Sequence, residues 1–206
     1  VGLSWSGYAD YKDMWTVDVF DIFNDSYGVK KNNISKEYIE SSEKLKSTNR
    51  DNIIGIQSQI WSETIRNENI LDYMFMPNII VFSQKAWSKD PKWMSIQDQT
   101  EREITLNYEW NKFTNSIGQR VLPIVENIYG GLTYDLPKPG GIIKNDSLYA
   151  NTAFPGLNIK YTLDGSLPNI ESMNYNNPVE IDQDDVIYLR LFDNKGRGGY
   201  PIQVDK

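Results

Sequence analysis

The run Tyr134-Asp135-Leu136-Pro137-Lys138-Pro139-Gly140-Gly141 divides the chain into two stretches of different architecture. Two prolines and two glycines within eight residues interrupt helix and strand alike. Before the run, apolar residues recur at helical spacing over long distances. After it, short alternating segments are separated by Asp, Asn and Gly. The pattern predicts an α/β first domain over residues 1–136 and an all-β second domain over residues 137–206.

Within the first stretch, Asn52 to Ile60 is continuously apolar in flavour rather than strictly alternating, as expected of a strand covered on both faces of a parallel sheet. A helix is predicted from about Asn69 to Ser88, with Ile70, Tyr73, Met74, Pro77, Ile80, Val81 and Trp87 at roughly helical spacing. Pro77 must kink it or open a second helix, because an interior proline costs about 3 kcal/mol. A longer helix is predicted from about Thr100 to Asn127. There Leu106, Trp110, Phe113, Ile117, Val121 and Ile124 make one stripe, expected to pack in the core. In the second stretch Asn158–Thr162, Val186–Phe192 and Tyr200–Val204 read as strands, with turn signals at Asp164-Gly165 and Asp193-Asn194-Lys195-Gly196. Together they predict a small β-sandwich.

Composition narrows the chemistry. With 206 residues and a net charge of −7, the chain lacks the basic face of a nucleic-acid binder. No apolar run is long enough to span a membrane. There is neither Cys nor His, which removes thiolate chemistry, the commonest metal ligand and the usual neutral-pH base. Asp182, Asp184 and Asp185 lack the loop spacing of a Ca²⁺ site, and no metal site is expected.

The apolar segment ends in Trp61-Ser62-Glu63. At the end of a strand, residues two apart point to the same side. An indole can stack on the apolar face of a pyranose while a carboxylate accepts hydrogen bonds from hydroxyls. The same pair also fits a core Trp followed by a helix-capping Glu.

Collinear blocks carry a resemblance across most of the chain. Gly55-Ile56-Gln57-Ser58-Gln59-Ile60-Trp61-Ser62-Glu63-Thr64 resembles a Gly-x-Gln-x-x-Leu-Trp-x-Glu motif, and Asp72–Pro77 with Ala86-Trp87-Ser88 resembles the helix that follows it. Trp110–Phe113 with Ile117–Arg120 is similar to a last barrel helix. Leu136–Gly140, Phe154–Leu157 and Tyr161–Gly165 are similar to a small terminal β-domain. The family is that of the β-N-acetylhexosaminidases and chitobiases, glycoside hydrolase family 20. The resemblance implies that residues 1–136 are the last strand or strands and helices of a (β/α)₈ barrel, and that residues 137–206 are an immunoglobulin-like β-sandwich. It also implies a retaining hydrolase of terminal β-linked N-acetylhexosamine that needs no cofactor, with the substrate's own acetamido oxygen as nucleophile.

By the match, Trp61 would wall the sugar subsite, Glu63 would bind the outer hydroxyls, and Trp5 would line the site near the neighbouring sugar. No catalytic residue is expected here. The family's adjacent Asp-Glu pair does not occur in this sequence and would lie upstream of Val1, so the chain reads as an inactive fragment. Expected partners are N-acetylglucosamine oligosaccharides and the remainder of the barrel, or a second copy. The expected compartment is the periplasm or the exterior. Where relatives carry Pro-Arg and Ala-Glu-Arg, this chain has Pro77-Asn78 and Ser83-Gln84-Lys85, which reads as an ion pair exchanged for two amides. The alternative class is a non-catalytic carbohydrate-binding or interaction module. It requires exposed aromatics on a sheet face, from among Tyr149, Tyr161, Tyr175, Tyr188 and Tyr200, with Tyr161 and Tyr188 expected to pack inward or flank turns.

Overall fold

A computed structural model describes residues 10–21 and 34–205. Contacts divide the chain into two compact units, one reaching Trp110 and the other starting at Asn111.

The first unit is helical among its described residues. Its helices are α1 (Tyr11–Thr16), α2 (Lys36–Ser41), α3 (Glu68–Phe75), α4 (Asn78–Trp87) and most of α5 (Gln99–Ser116). Four of these five starts have a side-chain cap. The Asp10 carboxylate accepts from the Lys12 and Asp13 amides, and Ser35 Oγ accepts from the Tyr38 amide. Asn67 Oδ1 accepts from the Ile70 amide, and Asp98 Oδ1 accepts from the Glu101 amide. Such caps satisfy amides that have no partner inside the helix. Pro77 separates α3 from α4 and supplies the entry to the second helix rather than a kink within one. The core gathers on Trp15, whose ring lies 6.0 Å from that of Trp93 and 5.4 Å from that of Trp110. Arg102 stacks over Trp93 at 5.2 Å. Trp87 stands outside this core, 89% exposed.

Asn52–Ile60 is not a strand. From Ile53 to Ser62 the backbone is irregular, and Ile54 is 99% exposed. A parallel strand needs neighbours on both sides to satisfy its amides and carbonyls, and no described residue supplies one. The seven strands of the described residues all lie in the second unit and pair antiparallel.

The second unit begins with the tail of α5. A turn of π-helix, Ile117–Val121, follows it, and a short α6 (Leu122–Val125) comes next. One extra residue in the turn rotates everything after it. The predicted stripe holds through Ile117, which is fully buried. Beyond the π turn, burial moves one position on, to Leu122 and Val125, and Ile124 is 58% exposed. Gly118 makes the turn possible, since a β-carbon there would overlap the Pro155 carbonyl oxygen. Gly118→Ala is therefore expected to destabilise the second unit by roughly 3 kcal/mol. Urea denaturation followed by circular dichroism measures this, and a midpoint equal to that of the unsubstituted chain would refute the close approach.

Seven strands follow: β1 (Gly140–Lys144), β2 (Ser147–Asn151), β3 (Asn158–Thr162), β4 (Met173–Asn174), β5 (Val179–Glu180), β6 (Ile187–Phe192) and β7 (Ile202–Val204). They form a three-stranded sheet, β1-β2-β5, and a four-stranded sheet, β4-β3-β6-β7. Asn145 and Asp146, at φ 50° and 52°, close the β1–β2 hairpin in the left-handed region that these two residue types tolerate. In the larger sheet the register pairs Ile159 with Leu191 and Tyr161 with Leu189, so one face is apolar throughout. The sheets meet where Gly141 lies against Leu189 and Val204, at a separation that leaves no space for a β-carbon.

Candidate functional site

In the first unit the candidate pair sits where the irregular segment reaches α3. The Ile65 amide donates to the Ser62 carbonyl at 3.1 Å, closing a turn that contains Glu63. Arg66 Nη1 donates to the Glu63 carbonyl at 2.8 Å, and Thr64 Oγ1 lies 3.7 Å from Met74 Sδ of α3. Trp61 enters the turn 55% exposed, and Glu63 is also exposed. No described residue donates to the Glu63 carboxylate.

The core-Trp and capping-Glu alternative is thereby excluded, because Trp61 is not buried and Asn67 caps α3. Trp61 and Glu63 do not lie on a strand. Glu63 is oriented by a turn, not by the alternation of a strand. Trp5 and the surrounding Gly2–Tyr8 lie outside the described residues. The two amides that stand in place of the ion pair are used separately. Asn78 Nδ2 donates to the Met74 carbonyl at 3.2 Å, and Gln84 is exposed. An exposed ring and an uncommitted carboxylate can stack on and hydrogen-bond a polar ligand.

The second unit contains a polar cluster that sequence reasoning missed. Glu126, only 3% exposed, follows α6. Its Oε1 accepts from Tyr134 Oη at 2.7 Å and from the Asn194 amide at 3.4 Å, and its Oε2 accepts from Asn194 Nδ2 at 3.1 Å. Lys195 Nζ donates to the Glu126 carbonyl. Buried Asp193 holds the adjoining turn. It accepts from the Lys195 and Arg197 amides at 3.0 and 2.8 Å and from Arg197 Nε at 2.9 Å. The Arg197 guanidinium covers the Tyr134 ring at 4.5 Å. Burial, followed by the hydrogen bond to Glu126 and the charges of Glu126 and Asp193, pushes the Tyr134 phenol far above its ordinary range. The turn signal at Asp193–Gly196 was legible, but its partner 68 residues earlier was not. The cluster pins the end of α6 to the β6–β7 turn.

Two family models match the chain. One, glycosyl hydrolase family 20 catalytic domain, covers residues 6–90, and the other, chitobiase/beta-hexosaminidase C-terminal domain, covers residues 126–199. Over these two stretches the chain is similar to glycosyl hydrolase family 20 and to the C-terminal domain of chitobiases and beta-hexosaminidases. The second match starts at Glu126, the residue that anchors the buried cluster, and ends at Gly199. The first includes the Trp61–Glu63 turn. Among curated relatives, this chain is 34% identical over 120 residues to N,N'-diacetylchitobiase of Vibrio harveyi, covering 54% of this chain and 13% of that protein. It is 33% identical over 128 residues to a beta-hexosaminidase of Vibrio vulnificus, covering 54% of this chain and 15% of that protein. The chain thus spans well under a quarter of either relative. Among the described residues, no group of three acidic side chains is placed to hold a metal ion, and no helix is long and apolar enough to cross a membrane.

Proposed function

We propose that this chain forms part of a β-N-acetylhexosaminidase that releases terminal β-linked N-acetylhexosamine from chito-oligosaccharides, with Trp61 and Glu63 binding the sugar and Trp5 lining its neighbour. The observation that carries the reading is the Trp61–Glu63 turn. It falls within the catalytic-domain match and presents a half-exposed indole beside a carboxylate without an internal partner. In this reading Asn52–Ile60 becomes a strand when neighbouring strands of a (β/α)₈ barrel, or of a second copy, satisfy its backbone. The pair would then stand at the carboxy-terminal rim, where barrels bind substrate. The second unit would be an immunoglobulin-like domain attached to the barrel, and the protein would work in the periplasm or outside the cell.

Glu63 serves binding rather than proton transfer, because the acetamido group supplies the nucleophile and the acid belongs to an Asp-Glu pair that this sequence lacks. The chain by itself is expected to give no turnover of a nitrophenyl N-acetylglucosaminide. In a complete barrel, Glu63→Gln is expected to lower kcat/KM about 10–100-fold, the worth of one charge-assisted hydrogen bond. Turnover by this chain alone that Glu63→Gln abolished would overturn the assignment of roles.

A further inference from the structure

The outer faces of the two sheets differ in how their side chains are used. On the four-stranded sheet the polar groups are committed. Lys160 Nζ donates to the Ser172 carbonyl at 3.0 Å, and Arg190 donates to the Gly199 carbonyl at 2.7 Å and to the Pro168 carbonyl at 3.3 Å. Tyr188 Oη donates to Gln203 Oε1 at 3.1 Å. These bonds hold the 166–172 loop and the 198–199 segment against that sheet.

Among the described residues the three-stranded sheet has no such hydrogen-bonded cover. Its register places Ile142 opposite Tyr149, Gly140 opposite Asn151, and Lys144 in line with Ser147 and Glu180. Ile142 is 63% exposed and Tyr149 40% exposed. The side chains of Tyr149, Asn151, Lys144 and Glu180 have no hydrogen-bond or ion-pair partner among the described residues. Gly140 keeps the face flat beside Asn151, whose amide oxygen occupies the space a β-carbon at 140 would need.

We infer that this face is a second saccharide-binding surface, separate from the Trp61–Glu63 turn, and that it takes a neutral N-acetylhexosamine oligosaccharide. One aromatic ring beside one aliphatic side chain suits the C–H face of a pyranose and an acetamido methyl. Asn151, Lys144 and Glu180 offer both donors and acceptors to hydroxyls. The single Lys and single Glu cancel, on a chain whose overall charge is −7, so the charge of the face complements an uncharged ligand rather than an ionic one. Two exposed apolar side chains fall short of the hydrophobic centre of a stable protein interface, which disfavours a protein occupant. The choice of N-acetylhexosamine among neutral sugars rests on the proposed function; the location of the surface does not.

The test is calorimetric titration of the full chain with the tetramer of N-acetylglucosamine, with a glucose tetramer as control. Tyr149→Ala and Asn151→Ala are expected to weaken binding at least about tenfold with an unchanged melting temperature, because both side chains are exposed. Trp61→Ala is expected to remove at most a separate binding event and to leave the one that the two sheet variants weaken, which separates the surface from the barrel site. No heat from the tetramer, equal affinity in the two sheet variants, loss confined to Trp61→Ala, or a self-associating chain that Tyr149→Ala makes monomeric would each overturn the inference. Binding of the glucose tetramer in place of the N-acetylglucosamine tetramer, lost in Tyr149→Ala, would overturn the ligand assignment.

Discussion

A polypeptide starting at Pro137 is expected to show no cooperative unfolding, whereas one starting at Asn111 is expected to melt in a single transition. The reason lies in what the second unit buries. Ile117, Leu122, Val125, Tyr134 and Leu136 are each at most 4% exposed, and all precede Pro137. They are tied to the β-strands at particular points. Gly118 lies against Phe154 and Pro155, Leu136 lies against Gly199, and Glu126 bonds to Asn194. Burying one large apolar side chain stabilises by about 1.5–3 kcal/mol, so five together contribute on the order of 10 kcal/mol. A whole domain has a net stability of only about 5–15 kcal/mol. Removing the helical tail therefore consumes the margin. Thermal melts of the two polypeptides by circular dichroism decide the matter, and a sigmoidal transition from the shorter one would show that the sheets are self-sufficient.

That expectation bears on how far sequence alone could be read. The Pro137–Gly141 run was the strongest local punctuation in the chain, and a change from helix to strand does occur there. Contacts are not local, however, and the helix end before the prolines packs with the strands after them. The same helix shows a second limit. Its stripe is readable from Leu106 to Ile117 because helical periodicity is a backbone property. The π turn then shifts the phase. Gly118 approaches Pro155 at that turn, a contact with a residue far along the sequence that leaves no local periodic signal.

Strands illustrate the opposite failure. Asn158–Thr162 and the 187–192 segment were legible from alternation, and Tyr161 packs inward as expected. The β1–β2 hairpin was missed although Asn145-Asp146 between Ile143 and Leu148 carried a turn signal. Asn-Asp is a weaker marker than Asn-Gly, and β5 is too short to show a period. Asn52–Ile60 has the composition of a buried strand without described neighbours to make it one. Composition records an environment; hydrogen bonds need partners. The role proposed for Trp61 and Glu63 needs exposure rather than a strand, and both side chains are exposed at the turn Ser62–Ile65.

The buried cluster gives the other large effect. Glu126→Leu is expected to destabilise the second unit by on the order of 4–5 kcal/mol. The substitution leaves Tyr134 Oη, the Asn194 amide and Asn194 Nδ2 without their acceptor, and each orphaned buried donor costs about 1–3 kcal/mol. Asn194 is exposed, so water recovers part of the sum. Glu126→Gln keeps an acceptor oxygen and is expected to lose less, which separates hydrogen bonding from simple volume. Alkali probes the same cluster without mutation. Tyr134 holds its proton more tightly when folded than when unfolded. Its contribution is complete below the ordinary phenol value of 10.0 and is lost as pH rises above it, because only the unfolded chain gains by ionising. Stability should fall there by about 1.4 kcal/mol per pH unit from this one group. Tyr134→Phe lowers stability at neutral pH and removes that portion of the alkaline slope. Urea midpoints between pH 9 and pH 11 for the two proteins measure both effects, and parallel curves would mean that Tyr134 ionises in the fold as freely as outside it.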